Sequence, residues 1–193
     1  GACVTDPVVG VSSLVWTGVN ADVYKTTKAI DPTRPVNDAS GDGHVKTDIW
    51  TVHDYERNPK VLVEHHTFEG LGAHFRNQPD KKFLANYEGQ PYMLDEFGAL
   101  PWIPKDQRAN SWGYGDNIDT LDDFYSILEK EVDAIIACPH ITGFCYTQIT
   151  DVEQEKNGVY YYDRRPKFDT ERLKAIFTKI PSQIVHPVTL FPK

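Results

Sequence analysis

The chain has 193 residues with a net charge of −8, and 40% of its residues are hydrophobic. This size and apolar content are sufficient for one domain with a buried core. The isoelectric point near 5.3 argues against a nucleic acid partner, because no basic patch offsets phosphate repulsion. No apolar run approaches the ~20 residues of a transmembrane helix, so no membrane partner is predicted, and nothing indicates a cellular location.

The cysteines argue against a cross-linked or zinc-bound protein. Three are present, Cys3, Cys138 and Cys145, an odd number without a CxxC pair. Small disulfide frameworks and zinc sites are built from even or closely spaced sets. Buried free thiols are therefore predicted.

Short apolar segments alternate with helical patterns along the chain. Strands are predicted at 14–16, 35–37, 48–53, 92–94 and 141–147. Several of them are apolar on successive residues, which is typical of strands buried on both faces of a parallel sheet. Helices are predicted at 23–30, 80–87, 120–137 and directly after Asp169. The third of these begins with the capping-box pair Thr120 and Asp123. Alternating strands and helices favour an α/β fold.

Two long loops, Glu56–Pro79 and Leu100–Asp119, each follow the end of a predicted strand. Loops in that position build the active-site face of a barrel of alternating strands and helices. The second loop carries Trp102, Trp112 and Tyr114, which either stack on a sugar or pack the loop against the core; both interpretations stay open. Farther along, the pair Asn157-Gly158 predicts a hairpin turn.

Two predicted strands end in groups that can do chemistry. The apolar run from Pro91 ends in Asp95-Glu96, with Gly98 close behind. A carboxylate at the carboxyl end of a parallel strand can serve as nucleophile, base or metal ligand, or simply as a salt-bridged acid. The segment from Asp48 ends in His53, Asp54 and Tyr55. A tyrosine hydroxyl can donate to a nearby carboxylate and hold it ionised.

Sequence motifs for cofactors are absent. There is no GxGxxG, Walker or GxSxG motif, so no cofactor is predicted. A metal-dependent hydrolase is a weaker alternative, because the available ligands lack HExxH-type spacing. The set in question comprises His44, His53, His65, His66 and Asp54.

A family resemblance follows from four segments that occur in the family's own order. Residues 31–36, 48–55 and 92–99 resemble the regions of barrel strands five, six and seven in family 2 glycoside hydrolases, and residues 143–151 with 157–169 resemble strand eight and the segment after it. That family contains β-galactosidases, β-glucuronidases and β-mannosidases. The resemblance implies a partial (β/α)8 TIM barrel, with strands from about four or five to eight, in a single domain over residues 1–193.

The same resemblance implies a retaining mechanism on the O-glycosidic bonds of β-glycosides. Glu96 would be the nucleophile, Tyr55 would hydrogen-bond to it, and His53 would face the sugar. Tyr146 falls near an aromatic position at the end of strand eight, and Asn20 matches the asparagine that precedes the acid/base residue. Together with Trp102 and Trp112 from the loop, these residues form the predicted substrate site.

The chain departs from the family pattern where the acid/base glutamate should be. The stretch 15–21 has the tryptophan and Asn20, but Ala21 stands in place of the glutamate, and no glutamate precedes Glu56. Two hypotheses follow. The chain is a fragment or reduced form of a retaining glycosidase that needs an absent half of the barrel, or it is a non-catalytic degenerate barrel that binds carbohydrate or a partner.

Overall fold

A computed structural model describes residues 9–41, 43–67 and 84–180, with side chains from residue 18 onward. These ranges contain four α-helices and three β-strands. In chain order the elements are α1 (Val9–Ile30), β1 (Trp50–Asp54), α2 (Pro59–His65), β2 (Tyr92–Gly98), α3 (Leu121–Ala137), β3 (Ile141–Thr147) and α4 (Thr170–Phe177). A short 3-10 turn, Arg108–Asn110, lies in the loop between β2 and α3.

The three strands form one parallel sheet with β2 in the centre. Trp50 of β1 pairs with Tyr92, and Tyr92 pairs with Ile141 of β3, so all carboxyl ends lie at the same edge. The register shifts once in β1, between Val52 and His53, and twice along the β2–β3 pairing. Such bulges redirect side chains, and two of the shifts lie close to the carboxyl edge. The α/β class is therefore confirmed, with an open sheet in the described ranges; the partial barrel stays a prediction.

Helix α3 covers the sheet and supplies much of the core. Its residues Phe124, Leu128 and Val132 have no exposed surface, and neither do Val52 and Leu94 of the strands. The predicted cap is confirmed, because the Thr120 hydroxyl accepts a hydrogen bond of 3.0 Å from the Asp123 amide. This cap fixes where α3 begins, and therefore which of its faces meets the sheet.

The first two predicted strands are wrong. Residues 14–16 lie inside α1, because a short apolar run fits a helix as well as a strand. Residues 35–37 are irregular. Pro35 has no N–H for a sheet ladder, and the Val36 amide donates to the side chain of Asp48 at 2.9 Å. The predicted helix at 23–30 is the end of the longer α1.

Three other local predictions fail or fall outside the described residues. Residues 84–87 are not helical, and 80–83 are outside the described ranges, as are residues 68–79 of the first long loop. The hairpin turn lies at Glu153, closed by mutual hydrogen bonds between Val152 and Glu155, whereas Asn157 is fully buried. The pair Asn157-Gly158 therefore does not form the turn, and Gly158 packs closely against the backbone of residues 150, 151 and 160.

Of the cysteines, Cys138 is buried as predicted, Cys145 is exposed against the prediction, and Cys3 lies outside the described residues. Cys145 is exposed because β3 is an edge strand with one open face. Across the described ranges, every helix is too short or too polar to cross a bilayer.

Candidate active site

The carboxyl edge of the sheet brings Tyr55 and Glu96 together. Tyr55 directly follows β1, and Glu96 lies on β2 opposite His53. The Tyr55 hydroxyl donates a hydrogen bond to Glu96 Oε2. Burial and the neighbouring carboxylate raise the pKa of Tyr55 above its ordinary value. The phenol therefore keeps its proton and acts as a donor to Glu96.

His53 lies between two carboxylates at the same edge. Its Nδ1 is 3.5 Å from Glu96 Oε2, and its Nε2 is 3.6 Å from Asp95 Oδ1. Adjacent residues of a regular strand point to opposite faces. The register shift between Leu94 and Phe97 changes this locally, so that both acids reach one histidine.

Ser40 connects His53 to Asp95. Its hydroxyl oxygen lies 2.8 Å from His53 Nε2 and 2.8 Å from Asp95 Oδ2. The neighbouring Gly41 amide points at the same Asp95 oxygen at 3.4 Å. Nothing in the sequence marked Ser40 as functional, because it lies 13 residues from His53 and 55 from Asp95. Only the folded loop reveals the connection.

Tyr146 lies at the end of β3, as predicted, and supports the backbone around the site. Its hydroxyl accepts from the Leu100 amide at 3.1 Å and donates to the Asn157 carbonyl at 3.3 Å. Its ring fills the space beside Gly98, where an added Cβ would lie 2.4 Å from the ring. Gly98 also has φ of +80°, which favours glycine. A direct contact between Tyr146 and a sugar stays a prediction.

A row of aromatic rings leads from Tyr55 to the surface. Tyr114 stacks on Tyr55 with a centroid distance of 4.9 Å and an angle of 7° between the rings. Trp112 meets Tyr114 edge-on at 5.7 Å. Trp112 and Tyr114 are 49% and 43% exposed, respectively. The row therefore offers flat apolar surface next to Glu96.

The loop that carries Trp112 and Tyr114 is held from two sides. Arg57 donates to the Tyr114 carbonyl and, at 3.0 Å, to the Asp116 carbonyl. Trp112 exchanges backbone hydrogen bonds with residues 154 and 156, at 2.8 and 2.9 Å. The exposed rings are thus positioned by the protein before any ligand binds.

The two remaining predicted site residues lie in different surroundings. Trp102 is half-buried and meets Phe168 of the core at 6.0 Å, which fits the loop-packing interpretation. Asn20 lies within α1, and so do residues 14–16, so Asn20 does not follow the strand that was predicted there. Substrate contacts of both residues stay predictions.

The histidines considered for a metal site contact different carboxylates. His44 contacts Asp38 at 2.7 Å, whereas His65 and His66 both contact Asp54, at 2.8 and 3.1 Å. Although burial opposes it, hydrogen bonds from His66 and His65 lower the pKa of Asp54. In residues 9–41, 43–67 and 84–180, no group of three or more His, Cys, Asp or Glu is arranged to hold a metal ion.

A second glutamate, Glu131 of α3, is buried in the core. It is 1% exposed, and within the described ranges neither of its carboxylate oxygens has a hydrogen-bond partner. Burial raises its pKa to about 8, although the charge of Arg57 opposes this. Glu131 is therefore neutral over most of the physiological pH range.

Comparison with known proteins yields structural similarity without a sequence match. No protein-family model and no curated protein sequence matches the chain. Among solved structures, a β-D-glucuronidase of Dictyoglomus thermophilum is similar with a TM-score of 0.54 and 18% identity, over 83% of this chain and 28% of that one.

Two further structures are similar to the same extent. The galacturonate-bound family 2 β-galacturonidase of Eisenbergiella tayi has a TM-score of 0.55 and 17% identity, over 83% of this chain and 30% of that one. A β-glucuronidase of Faecalibacterium prausnitzii has a TM-score of 0.51 and 16% identity, over 83% and 28%. The chain thus spans less than a third of these structures, and it shares the fold of that part of them.

Proposed function

We propose that this chain carries the nucleophile of a retaining glycoside hydrolase of family 2, acting on β-glycosides. The observation that carries the proposal is the hydrogen bond from Tyr55 to Glu96 at the carboxyl edge of a parallel sheet. The fold similarity to β-glucuronidases and a β-galacturonidase supports the reaction class. It also supports the idea that the sheet belongs to a larger barrel.

Glu96 has the features that nucleophilic attack on a sugar requires. Tyr55 binds one carboxylate oxygen, Oε2, and so orients the group; Oε1 is the atom to which we assign the attack. His53 Nδ1 lies 3.5 Å from Oε2, and we assign His53 a contact with the sugar. A carboxylate that is oriented before the substrate arrives needs little reorganisation during the reaction.

The reaction proceeds in two steps. In the first, Glu96 Oε1 forms a bond to the anomeric carbon as the bond to the leaving oxygen breaks, and that oxygen takes up a proton from a general acid. In the second, water attacks the same carbon, its proton passes to the base, and Glu96 is released. Retention needs a second carboxyl group ~5–5.5 Å from the nucleophile.

That second carboxyl group is not provided by position 21. Ala21 has no ionisable side chain, and it lies within α1. Without an acid, a poor leaving group such as an alkoxide departs slowly, whereas a nitrophenolate needs no proton. The chain alone is therefore expected to react only with activated glycosides.

The aromatic row suggests where the rest of the substrate binds. A sugar bonded to Glu96 lies beside Tyr55, and the stacked Tyr114 and exposed Trp112 continue outward from there. Aromatic faces pack well against the apolar faces of pyranose rings, so we assign Trp112 a substrate contact. We assign Trp102 and Tyr146 the task of holding this region in place.

Covalent labelling tests the proposal. The chain in its full natural length is incubated with 2,4-dinitrophenyl 2-deoxy-2-fluoro-β-glycosides of galactose, glucuronic acid and galacturonic acid. Intact-mass analysis should show one glycosyl adduct, and peptide mapping should place it on Glu96. Glu96→Gln should form none, whereas the exposed control Glu171→Gln should be labelled like the wild type. Sugar binding without an adduct would instead support the non-catalytic binding module.

A further inference from the structure

Three polar side chains, Ser40, His53 and Asp95, meet beside Glu96. The Ser40 oxygen lies 2.8 Å from both His53 Nε2 and Asp95 Oδ2. The direct contacts of His53 with the carboxylates are longer, at 3.6 Å to Asp95 and 3.5 Å to Glu96. Of these four contacts, the two made by Ser40 have the length of ordinary hydrogen bonds.

The number of available hydrogens decides the direction of these two bonds. A hydroxyl has one hydrogen to donate, and an ionised carboxylate can only accept. Ser40 therefore donates to Asp95, since otherwise two oxygens would face each other at 2.8 Å with no hydrogen between them. The Ser40 oxygen then acts as the acceptor toward His53. The hydrogen of that second bond has to come from His53 Nε2.

We propose that Ser40, oriented by Asp95, is a positioning residue that holds neutral His53 in the Nε2–H tautomer. Nδ1 then carries a lone pair and faces Glu96 as a hydrogen-bond acceptor. The distance of 3.5 Å between Nδ1 and Glu96 Oε2 fits two acceptors that share no hydrogen. In this tautomer Nδ1 can accept a hydrogen bond from a sugar hydroxyl near the anomeric carbon, a role that rests on the proposed function.

The backbone next to Ser40 reinforces this arrangement. Gly41 has φ of +87°, and a Cβ at this position would lie 3.2 Å from Cε1 of the His53 ring. Its amide points at Asp95 Oδ2 at 3.4 Å. The segment 40–41 therefore lies against both His53 and Asp95, and any side chain at position 41 would crowd the His53 ring.

Nitrogen NMR of histidine tests the tautomer directly. In the chain in its full natural length, labelled with ¹⁵N-histidine, long-range proton–nitrogen correlations distinguish protonated from unprotonated ring nitrogens. His53→Gln identifies the signal by its loss. We expect neutral His53 to be protonated at Nε2 only. Ser40→Ala should give a mixture of tautomers, and Ser40→Thr, which keeps a hydroxyl, should restore the single form.

A second variant reverses the expected direction of the bonds. In Asp95→Asn the introduced amide can donate to the Ser40 oxygen, so the Ser40 hydroxyl becomes free to donate to His53 Nε2. The proton of His53 should then move to Nδ1. This variant also decides the matter if Ser40→Ala does not fold. The proposal is overturned if wild-type His53 carries its proton on Nδ1, or if neither variant changes the tautomer.

Activity provides an independent readout. On an activated glycoside, Ser40→Ala should lower kcat/KM roughly 2- to 10-fold, the effect of one neutral hydrogen bond, and Ser40→Thr should recover most of it. The NMR measurement needs no turnover. An Nε2–H tautomer without any covalent adduct would reject the glycosidase proposal alone, and an adduct on Glu96 with an Nδ1–H tautomer would reject the role of Ser40 alone.

Discussion

Polar groups are held more firmly at the carboxyl edge of the sheet, formed by β1 and β2, than on helix α1. At the edge, Tyr55 and Ser40 make hydrogen bonds to side chains of neighbouring segments. On α1, Val19 and Val23 are each 55% exposed, and the helix is anchored near its end by Tyr24 and Lys28, which both contact Asp48. The edge thus holds an arranged set of polar groups, whereas the position that the resemblance assigns to the acid/base residue is Ala21, within a helix.

The largest effect expected at the edge is that of removing the nucleophile. Glu96→Gln should lower kcat/KM on a dinitrophenyl β-glycoside at least about a thousandfold, because the amide cannot form the glycosyl-enzyme. Initial-rate kinetics provide the measurement. The exposed Glu171→Gln should leave the rate unchanged. A Glu96→Gln rate within tenfold of the wild type would show that the edge is not the reacting centre.

A substitution in the core behind the edge should destabilise the protein far more than a substitution on α1. Leu128 of α3 has no exposed surface, so Leu128→Ala should cost about 2–5 kcal/mol of unfolding free energy. Val23 of α1 is mostly exposed, and Val23→Ala should change the unfolding free energy by less than about 0.5 kcal/mol. Urea unfolding followed by circular dichroism measures both values. Equal losses would mean that α1 is packed as firmly as the core.

Glu131 is a carboxyl group without the donor that Glu96 has, and this should appear in the pH dependence of stability. Its pKa is about 8 in the folded protein, above the ordinary value of 4.5, so the folded state binds the proton more tightly. The contribution of Glu131 to the unfolding free energy is fully present below pH 4.5 and is lost as the pH rises through about 8. Glu131→Gln should remove this loss, so that at pH 8 its unfolding free energy exceeds that of the wild type by on the order of a few kcal/mol. Identical pH profiles of urea unfolding would contradict the assignment.

Removing the donor at the edge should have a smaller effect than removing the nucleophile. Tyr55→Phe deletes the hydroxyl that binds Glu96 but keeps the ring that stacks on Tyr114. A hydrogen bond to a charged group is worth about 1.5–3 kcal/mol, so kcat/KM should fall roughly 10- to 150-fold. The same activated glycoside reports the change. The matched control Tyr162→Phe, on an exposed ring, should have no effect.

The smallest effect is expected from a substitution on α1. Ala21→Glu places a carboxyl group at the position that the family resemblance assigns to the acid, but on a helix instead of a strand end. We expect no gain in the hydrolysis of a methyl β-glycoside, whose leaving group needs a proton. Product analysis after long incubation provides the measurement. An increase above tenfold would show that α1 can adopt the geometry of an acid/base strand.

The sequence predicted those elements for which several local signals agree. Helix α3 has helical spacing and a cap at Thr120, and β2 and β3 are short apolar runs next to glycine or polar residues. The pairing of Tyr55 with Glu96 was implied by the family resemblance, and the places of both residues near the carboxyl edge of one parallel sheet agree with it.

The rest depends on long-range contacts that local patterns do not contain. Residues 14–16 are apolar in a way that suits either a strand or a helix, and α1 forms the helix. Ser40 acquires its role only when the loop places it between His53 and Asp95. Glu131 interrupts an apolar helix face as a polar residue would on a surface, yet it is buried.

The bulge in β2 limits the changes in strand length that this site can tolerate. Two neighbouring acids reach one histidine because the strand contains an irregularity between Leu94 and Phe97, in addition to having the right side chains. Insertion or deletion of one residue there would turn an acid to the opposite face while leaving the composition of the strand almost intact. The site is thus specified by the number of residues in the strand as well as by the identity of its side chains.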